Sequence, residues 1–139
     1  MKALVIYYSK KGTTRQFAYE IDKYLKNSNL DSKIMSIYDV HPDDIKQADI
    51  VLIGCWTHGL FVILQHPDKT WKKYARQFPE LKGKKVGFFT TYLLATGSMF
   101  SQMQSVLKNK LSVPVTLKLK SKNGKLSEDN KNLLKQFLS

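Results

Sequence analysis

The spacing of apolar positions along the chain alternates between strand-like runs and helical stripes. Ala3 to Tyr8 is an apolar, strand-like run that breaks into a hydroxyl-rich, glycine-containing stretch, residues 9–14. Phe17, Ile21, Tyr24 and Leu25 then recur at helical spacing with Ala18 beside them. They predict an amphipathic helix over 14–26 that stops at Asn27-Ser28-Asn29. Ile34, Ser36 and Tyr38 alternate with Met35 and Ile37, predicting a second strand over 33–38. Pro42 opens a short helix or turn within 39–47, with Asp43 and Asp44 in its first turn, where acids are favoured.

The run 49–55 is nearly continuous in apolar residues and ends at Gly54-Cys55, the pattern of a central parallel strand buried on both faces. A helix is predicted from about residue 68 to 77, with Trp71 and Tyr74 assigned to its packing and Pro79 just beyond it. Residues 84–91 read as another buried strand. Ser98 is expected to cap a helix whose apolar stripe is Phe100, Met103, Val106, Leu107 and Leu111. The last strand is expected over 113–119 and a turn at Asn123-Gly124. Ser127-Glu128-Asp129 then opens a final helix burying Leu133, Leu134, Phe137 and Leu138.

Strand and helix therefore alternate along the whole chain, with no internal repeat. That alternation implies a single α/β domain over 1–139: a parallel sheet with helices on both faces, joined by right-handed crossovers. Ligands of such sheets bind outside the carboxyl ends of the strands. The rule selects three loops: 9–14, 55–59 and 90–97.

The first loop has the chemistry of an anion cradle. A helix starting there leaves its first N–H groups without intrahelical partners, and Ser9, Thr13 and Thr14 add hydroxyls. Gly12 permits a tight backbone approach. The same residues also suit plain capping by Thr13 and a turn closed by Ser9. Both readings stand on the loop alone.

Composition narrows the classes. Cys55 is the only cysteine in 139 residues, which excludes an internal disulfide and a cysteine-based zinc cluster and suits a reducing cytoplasm. The first strand follows Met1-Lys2 directly, so no leader is expected, and no apolar run approaches the roughly 20 residues of a membrane helix. The formal charge of +12 is concentrated in 69–85, with seven basic residues against Glu80, and in 108–125, with six lysines and no acid. Such charge attracts anionic partners, or serves only as a solvated face.

On these residues the chain resembles a short-chain flavodoxin-like protein. In that family a Ser/Thr-x-Thr-Gly-x-Thr loop surrounds the phosphate of FMN; here it stands as Ser9-Lys10-Lys11-Gly12-Thr13-Thr14, with Lys11 in place of a hydroxyl residue. The resemblance implies a doubly wound sheet of five parallel strands in order 2-1-3-4-5, and FMN as cofactor. It implies that Trp56, within Cys55-Trp56-Thr57-His58-Gly59, stacks on the isoalloxazine and that Gly59 presents its backbone to the redox-active edge. After the fourth strand, Tyr92 would cover the other ring face, with Thr91 and Gly97 in the same loop. A flat, largely apolar ring with polar edges wants such aromatic faces and backbone donors. The acidic surface usual in the family is missing.

Some residues keep a plainer reading. Trp56 alone suits core or surface packing, His58 is either a loop residue or a group tuning the flavin edge, and Cys55 reads as a small core residue rather than a nucleophile. Residues 60–64 are apolar enough for burial or for docking. A receiver domain would need acids after the first strand, and a dinucleotide fold would need Gly-x-Gly-x-x-Gly where only Gly12 is present. Two functions remain: an FMN electron carrier between a reductase and an acceptor protein, and an FMN-dependent NAD(P)H:quinone or small-molecule oxidoreductase. A basic non-flavin module survives on charge alone, although no element carries the basic and aromatic stripe of a nucleic-acid binder. For the carrier, a partner with an acidic docking face is expected. The positive surface should also ease the gain of negative charge on reduction.

Overall fold

Parallel strands buried on both faces send alternate side chains into two separate cores, and that rule organises the whole molecule. The computed structural model describes residues 1–58 and 66–139. Its elements are β1 (Lys2–Tyr8), α1 (Thr13–Asn27), β2 (Asp31–Ser36), α2 (Pro42–Gln47), β3 (Ile50–His58), β4 (His66–Pro67), α3 (Lys69–Ala75), β5 (Lys85–Thr91), α4 (Met99–Leu107), β6 (Leu117–Ser121) and α5 (Glu128–Leu138). A 3₁₀ turn, Lys108–Lys110, continues α4.

The sheet runs β2-β1-β3-β5-β6 with every neighbouring pair parallel. Leaving aside the two-residue β4, this is the expected five-stranded order. β4 pairs antiparallel with the tip of β3 through Thr57↔Pro67 and His58↔His66. Leu4, Ile6, Val51, Ile53 and Phe88 face one side, where Trp71, Ala75, Met99, Met103 and Leu107 of α3 and α4 cover them. Ala3, Val5, Ile50, Leu52 and Phe89 face the other, covered by Phe17, Ala18, Ile21 and Leu25 of α1 and Leu134 of α5. Burying each such side chain contributes roughly 1.5–3 kcal/mol.

Five boundaries or burials differ from the sequence reading. β3 runs on to His58 rather than ending at residue 55, so Trp56 and Thr57 belong to the strand and not to a loop after it. The second strand is Asp31–Ser36 rather than 33–38; Tyr38 leaves the ladder, 57% exposed, and packs edge-on between Tyr8 and Tyr74. β6 starts at Leu117 rather than at residue 113, because Pro114 lacks an N–H and Val115 N–H donates to Gln104 Oε1 instead. Leu133 is 42% exposed, since α5 turns Leu134 and not its neighbour toward the sheet. Ser98 does occupy the N-cap of α4, but its Oγ accepts from Gln102 Nε2 rather than from the helix backbone.

Candidate functional site

Three elements end together at the carboxyl edge of the sheet, and each brings part of a site. After β1 the chain turns through Gly12, which takes the left-handed conformation at φ 93°, and α1 begins at Thr13. Gly12, and not Thr13, is the N-cap, and it offers no side chain to the helix. Ser9 Oγ instead accepts from Gly12 N–H at 3.0 Å, closing the turn. The first turn of α1 holds no acid and carries Arg15, with Lys10 and Lys11 exposed just before it. Cations at the positive end of a helix dipole are unfavourable, typically by 0.3–1 kcal/mol each. A bound anion reverses that sign. Three of the other helix starts differ, with Asp43 and Asp44 opening α2, Asp68 capping α3 and Ser127 capping α5, while α4 also begins without an acid or a side-chain cap.

The floor between these ends is a set of buried threonine hydroxyls. Thr14 Oγ1 lies 2.5 Å from Thr91 Oγ1, joining the start of α1 to the end of β5. Thr90 Oγ1 donates to Cys55 O at 2.6 Å, which commits its single hydrogen, so Thr57 Oγ1 is the donor across the 2.8 Å contact with Thr90 Oγ1. In the Thr14–Thr91 pair one hydrogen serves the mutual bond. The second has no acceptor among the described residues, although both side chains are buried. A ligand oxygen above the pair would supply that acceptor.

Above this floor lies a cleft of about 330 Å³, within the range of small-ligand sites. Lys10, Lys11, Thr13 and Thr14 line one end, Trp56 and Thr57 the middle, and Thr91, Tyr92, Leu93 and Lys122 the far side. Trp56 is half-buried with Lys10 Nζ 5.1 Å from its ring centre. Lys122 Nζ stands 5.7 Å from the ring centre of Tyr92, and Tyr92 N–H donates to Ser121 O, which ties this loop to the end of β6. A hydroxyl- and cation-rich end joined to two aromatic rings suits a ligand with an anionic head and a flat aromatic body.

Cys55 is fully buried behind Trp56, and burial pushes its thiol well above the ordinary range, which keeps it protonated and unreactive. Gly97 takes a positive φ of 51° just before α4 and lies outside the cleft lining. His58 contributes the last register position of β3, while Gly59 and the apolar residues 60–64 lie outside the described residues. Leu93 lines the cleft and Thr90 lies in its floor; both fall in the selected loop 90–97 without having been singled out, whereas Lys122 was missed altogether. Lys122 was hidden by placing the end of the last strand at residue 119; with β6 ending at Ser121, it stands at the same edge as the other loops.

Comparison with known proteins agrees with this fold. A family model for the flavodoxin domain matches residues 4–138. The flavodoxin of Megasphaera elsdenii is 31% identical over 94 residues, covering 67% of this chain and 66% of that protein. The flavodoxin of Clostridium beijerinckii is 27% identical over 89 residues, covering 63% and 62%. The matched stretches thus span just under two thirds of those relatives' length. The solution structure of two-electron reduced Megasphaera elsdenii flavodoxin superposes with a TM-score of 0.73 at 23% identity, over 94% of each chain. Oxidised Flavodoxin 2 from Bacillus cereus superposes with a TM-score of 0.75 at 19% identity, over 99% of this chain and 94% of that one. With the family model running through nearly the whole chain, this protein belongs to the flavodoxin family, whose cofactor is FMN.

Proposed function

We propose that this chain holds FMN in the cleft and carries electrons between a reductase and an acceptor protein with an acidic docking face. The observation behind the reading is the continuity of the cation-rich, acid-free start of α1 with the rings of Trp56 and Tyr92 in one cleft. The phosphate would be held by Ser9, Thr13 and Thr14 hydroxyls and by the first N–H groups of α1, with Gly12 giving close approach and Lys10 and Lys11 supplying charge. Trp56 and Tyr92 would take the ring faces. Cys55, Thr57, His58, Gly59, Thr91 and Gly97 would complete the strand-end loops around it.

When bound, FMN supplies a redox centre that takes up and gives up electrons, and the protein tunes it through contacts and charge. Lys10, Lys11 and Lys122 line the cleft, so their charge favours electron uptake there and raises the potential relative to an acidic relative. The short turns after β1 and β5 leave little to build a separate substrate pocket, which favours a carrier over an FMN-dependent NAD(P)H:quinone reductase. The formal charge of +12 favours an acidic partner, with an affinity that falls as salt rises.

The test is titration of the flavin-free protein with FMN while flavin fluorescence is followed. Saturable quenching is expected. Trp56→Ala should weaken binding by about 2–4 kcal/mol, roughly 30- to 700-fold, from lost burial and stacking. Absence of quenching, or an unchanged Kd in the variant, refutes the reading.

A further inference from the structure

A second groove, of about 430 Å³, runs along β6 into the start of α5 and shares Tyr92 and Lys122 with the cleft. Lys118, Lys120, Lys122 and Lys125 line it against one carboxylate, Asp129. Lys118 and Lys120 are exposed on the sheet face opposite to that of the buried Leu117, Leu119 and Ser121, with which they alternate along the edge strand. Beside Tyr92, Leu93 and Leu94 are 73% and 68% exposed. Lysines on an edge strand discourage strand addition, which accounts for Lys118 and Lys120. It does not account for Lys122 and Lys125, which lie beyond the strand, or for two leucines held out in water at the mouth of the cleft.

An apolar spot rimmed by charge has the anatomy of a protein interface. We infer that the turn 92–94 and the lysine groove of β6 form the docking face for an acidic redox protein. Its carboxylates meet the four lysines, and an apolar spot on its surface meets Leu93 and Leu94. The inference rests on the FMN carrier reading. The leucine pair selects a protein over a nucleic acid or a free anion, neither of which gains from exposed apolar side chains. Docking there brings the partner to Tyr92, at the cleft itself, so the electron path is short.

The test uses the FMN-loaded protein, reduced anaerobically with dithionite and mixed in a stopped-flow instrument with ferricytochrome c. Two forms of the probe are compared: native, which is basic, and fully succinylated, which is acidic. Each transfer removes one electron from the reduced holoprotein and converts one ferric haem to ferrous. At low ionic strength the succinylated form should react at least about tenfold faster than the native form, and the advantage should fade with salt. Lys118→Gln/Lys120→Gln/Lys125→Gln should slow the succinylated probe by about tenfold at low salt and converge with the unaltered protein at high salt. Leu94→Ser should slow it several-fold at every salt concentration. Lys82→Gln/Lys108→Gln/Lys110→Gln removes the same charge at the opposite end of the sheet and should stay within about twofold of the unaltered protein. Preference for the native probe, or equal slowing by the two triple variants, overturns the docking face. Failure to load FMN defeats the carrier reading itself, and full loading without charge preference defeats the docking face alone.

Discussion

Replacing Thr14 by Val separates the structural duty of its hydroxyl from the ligand-binding duty proposed for it. The change keeps the side-chain shape but leaves Thr91 Oγ1, buried and 2.5 Å away, without its partner. An orphaned buried hydroxyl costs about 1–3 kcal/mol, which for a domain of this size lowers the Tm by roughly 3–12 °C. Replacing Thr91 as well removes both polar groups, and such a pair of apolar substitutes is close to neutral. The flavin-free Thr14→Val/Thr91→Val protein should therefore return to within about 1 kcal/mol of the unaltered protein. FMN affinity should not return with it. A hydrogen bond to a charged phosphate contributes about 1.5–3 kcal/mol, so both Thr14→Val and the double variant should bind FMN roughly 10- to 150-fold more weakly. Urea unfolding of the flavin-free proteins gives the stabilities, and fluorescence titration gives the Kd values. Additive destabilisation in the double variant would show that the two hydroxyls are not each other's partner. An unchanged Kd in Thr14→Val would show that the free hydrogen of the pair is not used by the ligand.

Other positions carry independent predictions. A Cβ at Gly54 would overlap the ring of Phe89, its register neighbour on β5; Gly54→Ala should cost about 1–3 kcal/mol in urea unfolding. Phe89→Leu in that background should recover part of the loss, and strict additivity of the two changes would refute the steric account. The Cys55 thiol, fully buried and pushed up by desolvation, should react with iodoacetamide at pH 8.5 on the order of 10³-fold more slowly than in the unfolded chain. Labelling at the free-thiol rate would contradict its burial. Asp44 accepts the His41 N–H at 2.9 Å, and that bond holds its carboxyl below the usual range. A lowered folded-state pKa means stability that is present above the unfolded value and is lost as pH falls through the folded one. Asp44→Ala should thus cost about 0.5–2 kcal/mol near pH 7, shrinking toward pH 3, and a cost independent of pH would refute the assignment.

The strand and helix order was legible because both-face burial writes a local signal. Val51, Leu52 and Ile53 alternate between the two cores, yet all are apolar, so the run announces a central strand without any partner being known. Local signals failed where a distant group decided the matter. Pro114 and Val115 read as the start of a strand until Gln104, on α4, is seen to take the N–H that the ladder would have used. Leu133 and Leu134 are indistinguishable in composition, and only the rotation of α5 against the sheet separates the exposed one from the buried one.

The site shows the same division. Gly12, Trp56 and Tyr92 sit at or just beyond strand ends, so position selected their segments, while the expected roles of Trp56 and Tyr92 came from the resemblance. Position could not reveal the threonine floor, because Thr14 and Thr91 are 77 residues apart and nothing local marks either as the other's partner. For the surface charge, the sign is obvious in the sequence and the use is not. Six lysines between residues 108 and 125 read as a single basic run, but the fold divides them. Lys108 and Lys110 go to the amino end of β5, where Leu81 N–H donates to Lys110 O, while Lys118, Lys120, Lys122 and Lys125 gather beside Tyr92. Charge at the far end lies beyond the screening length from the cleft at physiological salt, whereas charge at Tyr92 acts on whatever binds there. On the proposed carrier reading, placement rather than total charge therefore determines which lysines meet a redox partner.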